Sequence, residues 1–252
     1  MAPIFGDKPK AFTVKDFMSD NKLPNIKAIR DDLHTRYGTL IKKYGEFKRK
    51  VHVEGSNYYV HVKVPSETID KFFYDVVIQF VNNPDDKDGL MKDYLIRVHS
   101  NAPSFTFRYA YVLNKRRLTI PVLHSKLDPK SLSQPPVVTN PYQIPFYEKT
   151  LYFALIELER QGVLGMTGAK LHMEAVPFIK GDLMKSVMSS AEMTVVRKSV
   201  EPKTTDTGKD KVKKENLRTN TQNIVQGKKA TEAVKKTVKA ETAKVAKKAK
   251  RI

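Results

Sequence analysis

The pattern of the 252-residue chain predicts an α+β domain. It is built on a mostly antiparallel sheet of five or six strands with two main flanking helices, and a disordered basic tail follows it. Three observations carry this expectation. Short apolar runs with a period of two follow one another between residues 50 and 112, too closely spaced for helical crossovers. Two longer segments bracket that block and carry apolar residues at steps of three or four. From residue 201 onward the chain loses almost all large apolar side chains and gains lysine. The organisation read from these shifts is an N-terminal arm over 1–22, a globular domain over 23–197, a disordered linker over 198–227 and a Lys/Ala-rich tail over 228–252 that can turn helical when bound.

In the arm, "TVKD" at Thr13 to Asp16 has the chemistry to cap a short helix. The first main helix is expected over Leu23 to Phe47, where Ile26, Ile29, Leu33, Tyr37, Leu40, Tyr44 and Phe47 line one face and Gly38 weakens the middle. "KVHVEGSNYYVHVKVP" reads as a hairpin turning at "EGSN". Its Val51, Val53, Tyr58, Val60, Val62 and Val64 face inward, leaving His52, Tyr59, His61 and Lys63 outward. "FFYDVVIQF" reads as a buried strand ending at the acidic turn "NNPDDKDG", and "YLIRVHS" and "SFTFRYAYV" as two more strands. In the last of these, Phe105, Phe107, Tyr109 and Tyr111 share a face. "LDPKSLSQPPVVTN" is expected to run extended over the surface because of its prolines.

The second main helix is expected in "PFYEKTLYFALIELERQG", with Pro145 in the first turn, Glu148 at the positive end and Gly162 at the stop. "KLHMEAVPF" reads as a last strand, and residues 182–195 as a short helix presenting Met184, Val187, Met188 and Ala191.

The chain is basic, with a formal net charge of +19, and the excess is unevenly placed. Residues 201–252 hold 16 lysines and arginines against 6 acids, so a fifth of the chain carries about half of the excess. A polyanion partner is the ordinary physical reason for such a segment. Val234, Val238, Thr242, Val245, Ala249 and Ile252 recur at helical steps, but this stripe lacks the Leu, Phe or Trp that an inserting membrane helix uses. Phosphates need no such wedge, since lysines release counterions without insertion. The expected nucleic-acid contacts are therefore Lys228, Lys229, Lys235, Lys236, Lys239, Lys244, Lys247, Lys248, Lys250 and Arg251, with Arg108, Lys115, Arg116 and Arg117 as a second set. One arginine and no Asn or Gln after Gln226 equip the tail poorly for reading base edges.

No motif argues for catalysis. Cysteine is absent, so disulfides, thiolate zinc sites and cysteine nucleophiles are excluded. "GVLGMTG" lacks the pattern of a phosphate-cradling loop. His52 and His61, as cross-strand neighbours, make a poor metal pair alone. No catalytic, metal or cofactor residue is assigned. Two alternatives stay open: a nuclease-like enzyme whose Asp75, Asp93 and Glu174 assemble only in three dimensions, and a single-strand-binding sheet using Tyr109 and Tyr111. "MAPIFGDKPK" has no long apolar core, so export through a signal peptide is not expected.

The region from "NAPSFTFRYAYVLN" through "SQPPVVTNPYQIPFYEKTLYFALIELE", within Asp93 to Glu159, resembles uncharacterised virion proteins of tailed bacteriophages of Gram-positive hosts. The resemblance implies a non-enzymatic structural component, located in the virion or the host cytoplasm, that contacts other structural proteins. It would be able to form homo-oligomers and would meet nucleic acid, DNA more than RNA, through the tail.

Overall fold

Period-two alternation produces four strands of the sheet where they were expected. A computed structural model describes residues 12–19, 26–83, 89–136, 140, 145 and 148–200. Strands β1 (Arg49–Glu54) and β2 (Asn57–Pro65) form the hairpin, turning at Gly55 with φ 58°. An L side chain resists that dihedral, and glycine accepts it freely. β3 (Phe73–Val81) and β4 (Leu95–Ser100) continue the antiparallel ladder, and the two-residue β5 (Val176–Pro177) adds in parallel to β1. The order is β4-β3-β2-β1-β5, a five-stranded mixed sheet that is mostly antiparallel.

Two helices flank it as expected: α2 (Ile26–Tyr44) and α5 (Lys149–Arg160). The former, preceded by the short α1 (Val14–Ser19), runs unbroken through Gly38. Leu33, Tyr37 and Leu40 of α2, with Leu151, Phe153, Leu155 and Leu158 of α5, pack on Val51, Val60, Val62, Val76 and Ile78 of the sheet. Glu148 caps α5 by accepting from Leu151 N at 2.8 Å, and Gly162, φ 75°, ends it. Pro145 lies before this helix and outside its first turn.

Buried Glu157 locks the two helices together. It accepts from Tyr37, from Phe47 N at 3.0 Å, from Arg160 at 2.7 Å and from Gln161 at 2.7 Å. Burial raises a carboxyl's pKa, yet these donors prevail and hold Glu157 below its ordinary value.

Several elements depart from the sequence reading. α1 falls within the expected N-terminal arm yet belongs to the domain: Thr13 and Asp16 cap it reciprocally, and Val14 and Phe17 are buried in the main core. "SFTFRYAYV" forms a helix: Phe105–Tyr109 makes one π turn and α3 (Ala110–Lys115) continues it. Asp128 caps a further short helix, α4 (Pro129–Ser133), within the segment expected to be extended. "KLHME" belongs to α6 (Gly168–Glu174), leaving only Val176–Pro177 as strand. The single helix expected over 182–195 is two, α7 (Lys180–Ser186) and α8 (Ser190–Val200), and α8 passes the expected domain end at 197.

The outward face of the hairpin is also covered. Tyr59, His52 and His61 are buried. A second core of Tyr59, Val77, Ile120, Leu123, Leu183 and Val187 closes that side, supplied by the 3-10 turn Pro121–Lys126 and by α7. Alternation alone showed which residues share a face; it could not show that a second layer would cover the other one.

The edges of the sheet are short or bridged. Thr13 and Thr119 bridge to Leu95 and Val98 of β4.

Candidate functional site

The ten expected contacts from Lys228 to Arg251 lie outside the described residues, as do the linker from 201 and the acids Asp85, Asp86 and Asp88. The second set runs from the π turn (Arg108) through the end of α3 (Lys115) to the turn that follows it (Arg116, Arg117). In a strand, Phe105 and Phe107 would share a face; in a helix, residues two apart point nearly opposite ways. Phe105 is accordingly in the core and Phe107 is 62 % exposed. Arg108, Lys115 and Arg117 are exposed, Arg117 in the left-handed region at φ 60°. Arg116 turns inward: it is 4 % exposed and donates to Val112 O at 3.5 Å, so its guanidinium is not presented to a phosphate, contrary to expectation. Tyr109 and Tyr111 stand on this helix and outside any sheet, which removes the basis of the stacking-sheet alternative. Burial pushes the Tyr109 hydroxyl up to about 12.

Phe107 is where three cavities meet, of about 850, 260 and 350 Å³. Arg108 lines the first two. The largest also has Ile29, Asp32, Arg36 and Lys149 on its walls. Two of its three cations are matched: Arg36 grips Glu67 with two bonds of 2.7 Å and Asp32 at 3.1 Å, while Lys149 also donates to Glu67. An exposed aromatic beside an arginine, over cations that are mostly paired with acids, has the composition of a protein-contact hot spot.

A second constellation escaped the sequence reading. Asp75 on β3, 1 % exposed, faces Lys63 across the ladder. It accepts from His61 Nε2 at 2.7 Å, from Lys63, from Asn101 Nδ2 at 3.0 Å and from Met188 N at 3.1 Å. Burial alone would raise its pKa; His61 and Lys63 override this and hold it down to about 2. Ser186 Oγ lies 3.4 Å from His61 Nδ1. Serine, histidine and aspartate in a row have the makings of a hydrolytic triad. Here the serine proton already goes to Leu183 O at 2.9 Å, and Lys63 shares the carboxylate. The network is suited to tying β2, β3 and the α7–α8 connection together. The signal was present in the sequence as Lys63 and Asp75, but their register was not.

The other acids considered for a nuclease are engaged apart from it. Glu174 pairs with Arg49 at 2.8 Å, and Asp93 ends a 3-10 turn whose carbonyl accepts from Asn83. His52 and His61 stand opposite Tyr59 and Lys50, so they are not direct cross-strand neighbours. Among the described residues no three His, Asp or Glu side chains are placed to hold a metal ion, and no helix is long and apolar enough to cross a membrane.

With the geometry in place, comparison with known proteins adds nothing further: no protein family, curated protein or solved structure matches the chain.

Proposed function

We propose that the protein is a non-enzymatic structural or assembly component, a bacteriophage virion protein in character, whose residues 201–252 bind nucleic acid non-specifically through its phosphates. The observation that carries this reading is the segregation of charge: 16 basic residues against 6 acids in the last fifth of the chain. DNA is favoured over RNA because a phage virion protein would stand beside packaged or passing DNA. The folded part makes protein contacts, for which the Phe107–Arg108 surface, an exposed aromatic beside an arginine, is the best-suited region. Such a protein works in the virion or the host cytoplasm.

The test is a full-length variant in which the ten lysine and arginine residues from Lys228 to Arg251 are replaced by glutamine. Its affinity for duplex DNA at low salt should fall by at least about a hundredfold relative to the parent chain. Equal affinity would remove the tail from the function.

A further inference from the structure

A cavity of about 450 Å³ opens where α2 ends, β2 ends, β3 begins and α8 crosses. Its floor is apolar, with Phe47, Phe72 and Met193 buried. Phe73 stands 41 % exposed in it, with Tyr44 edge-on at 5.9 Å. Three lysines line the walls, Lys48, Lys63 and Lys71, against one acid, Glu46. Lys63 is turned to Asp75, but neither Lys48 nor Lys71 forms an ion pair among the described residues. Lys71 holds φ 55°, a dihedral that an L residue keeps only when its surroundings impose it. It lies in the turn that Ser66 N closes by donating to Phe72 O at 2.7 Å.

We propose that this cavity binds one nucleotide of a single-stranded nucleic acid, the base against Phe73 and the phosphate held by Lys48 and Lys71. An exposed ring beside cationic groups is the combination by which single strands are held, because stacking needs a base face that a duplex keeps covered. The volume lies in the range of small-ligand sites. The site rests on the nucleic-acid reading above and gives it a strand preference that the tail alone does not have.

The experiment uses full-length chains: the parent, the double variant Lys48→Gln/Lys71→Gln, and Phe73→Ala. The probes are a labelled thymidine oligomer, a duplex of the same length and a polyglutamate peptide, and thermal unfolding confirms that each variant is folded. The double variant should lose about tenfold in affinity for the oligomer and less than about twofold for the duplex, and Phe73→Ala should do the same. Unchanged oligomer binding by the folded double variant, or equal losses on oligomer and duplex, overturns the cavity while leaving the tail reading intact. Polyglutamate binding that falls as far as oligomer binding identifies an acidic-peptide site and overturns the proposal. A parent chain that binds neither nucleic acid overturns the tail reading and this site with it.

Discussion

His61 Nε2 and Asp75 Oδ1 lie 2.7 Å apart in the interior, on neighbouring strands, with the carboxylate almost wholly removed from water. A buried carboxylate is tolerated only when its lone pairs are met, and here His61, Lys63, Asn101 and Met188 N meet them.

Replacing Asp75 with alanine should therefore cost about 3–5 kcal/mol, because it strands the histidine and a backbone donor together. Lys63→Ala should cost under about 1 kcal/mol, since that ammonium is 41 % exposed and solvent screens it. Urea unfolding at neutral pH measures both. Similar losses for the two would contradict the network as drawn.

The domain should weaken in mild acid. Burial lowers His99 to about 3, and lowers His52 and His124 in the same direction. The unfolded chain then binds more protons than the folded one from the ordinary histidine range, about 6.5, downward. Stability is lost as pH falls through that window, about 2 kcal/mol from His99 alone by pH 5. Asp75 adds a further loss only below its unfolded value of 3.8, as pH falls toward about 2. Thermal midpoints between pH 7 and 5 should drop for the parent and drop distinctly less for His99→Leu.

Gly168 sits under two tyrosines. An added Cβ would meet the Tyr94 hydroxyl at 2.5 Å and the Tyr58 hydroxyl at 3.1 Å, while Tyr58 also donates to Gly168 O at 2.8 Å. Gly168→Ala should cost about 1–3 kcal/mol. Removing the nearer oxygen with Tyr94→Phe should recover part of that loss, a coupling that a double-mutant cycle reads directly.

The helical turn at 105–109 makes an opposed pair of predictions. Phe105→Ala should cost about 3–5 kcal/mol and Phe107→Ala less than about 0.5 kcal/mol. Comparable losses would restore the shared face that a strand requires. Just beyond it, Arg116→Ala should destabilise the domain more than Lys115→Ala, because only the Arg116 side chain is buried.

Much of the sheet was legible in the sequence because alternation with a local turn specifies a hairpin within sixteen residues. The valines of β1 and β2 and the turn at Gly55 needed no distant information. "SFTFRYAYV" misled for a physical reason: aromatic alternation suits a strand, yet it equally serves a helix that buries Phe105 and exposes Phe107. Only the packing of the main core decides between them. The burial of His61 and the pairing of Lys63 with Asp75 depend on contacts up to 125 residues apart, such as Ser186 with His61, and no local pattern encodes those. The cavity at Phe73 was hidden for the same reason, since Lys48, Lys71 and Met193 come from three separate elements. The tail, by contrast, was read from composition alone.

The most direct measurement is the salt dependence of duplex DNA binding by the full-length chain. Ten basic residues from Lys228 to Arg251 acting on phosphates should make the logarithm of the association constant fall against the logarithm of salt concentration with a slope of about −5 to −9. Replacing those ten by glutamine should flatten that slope to about −2 or less. A slope that is shallow in the parent chain, or steep and unchanged in the glutamine variant, would contradict a phosphate-neutralising tail.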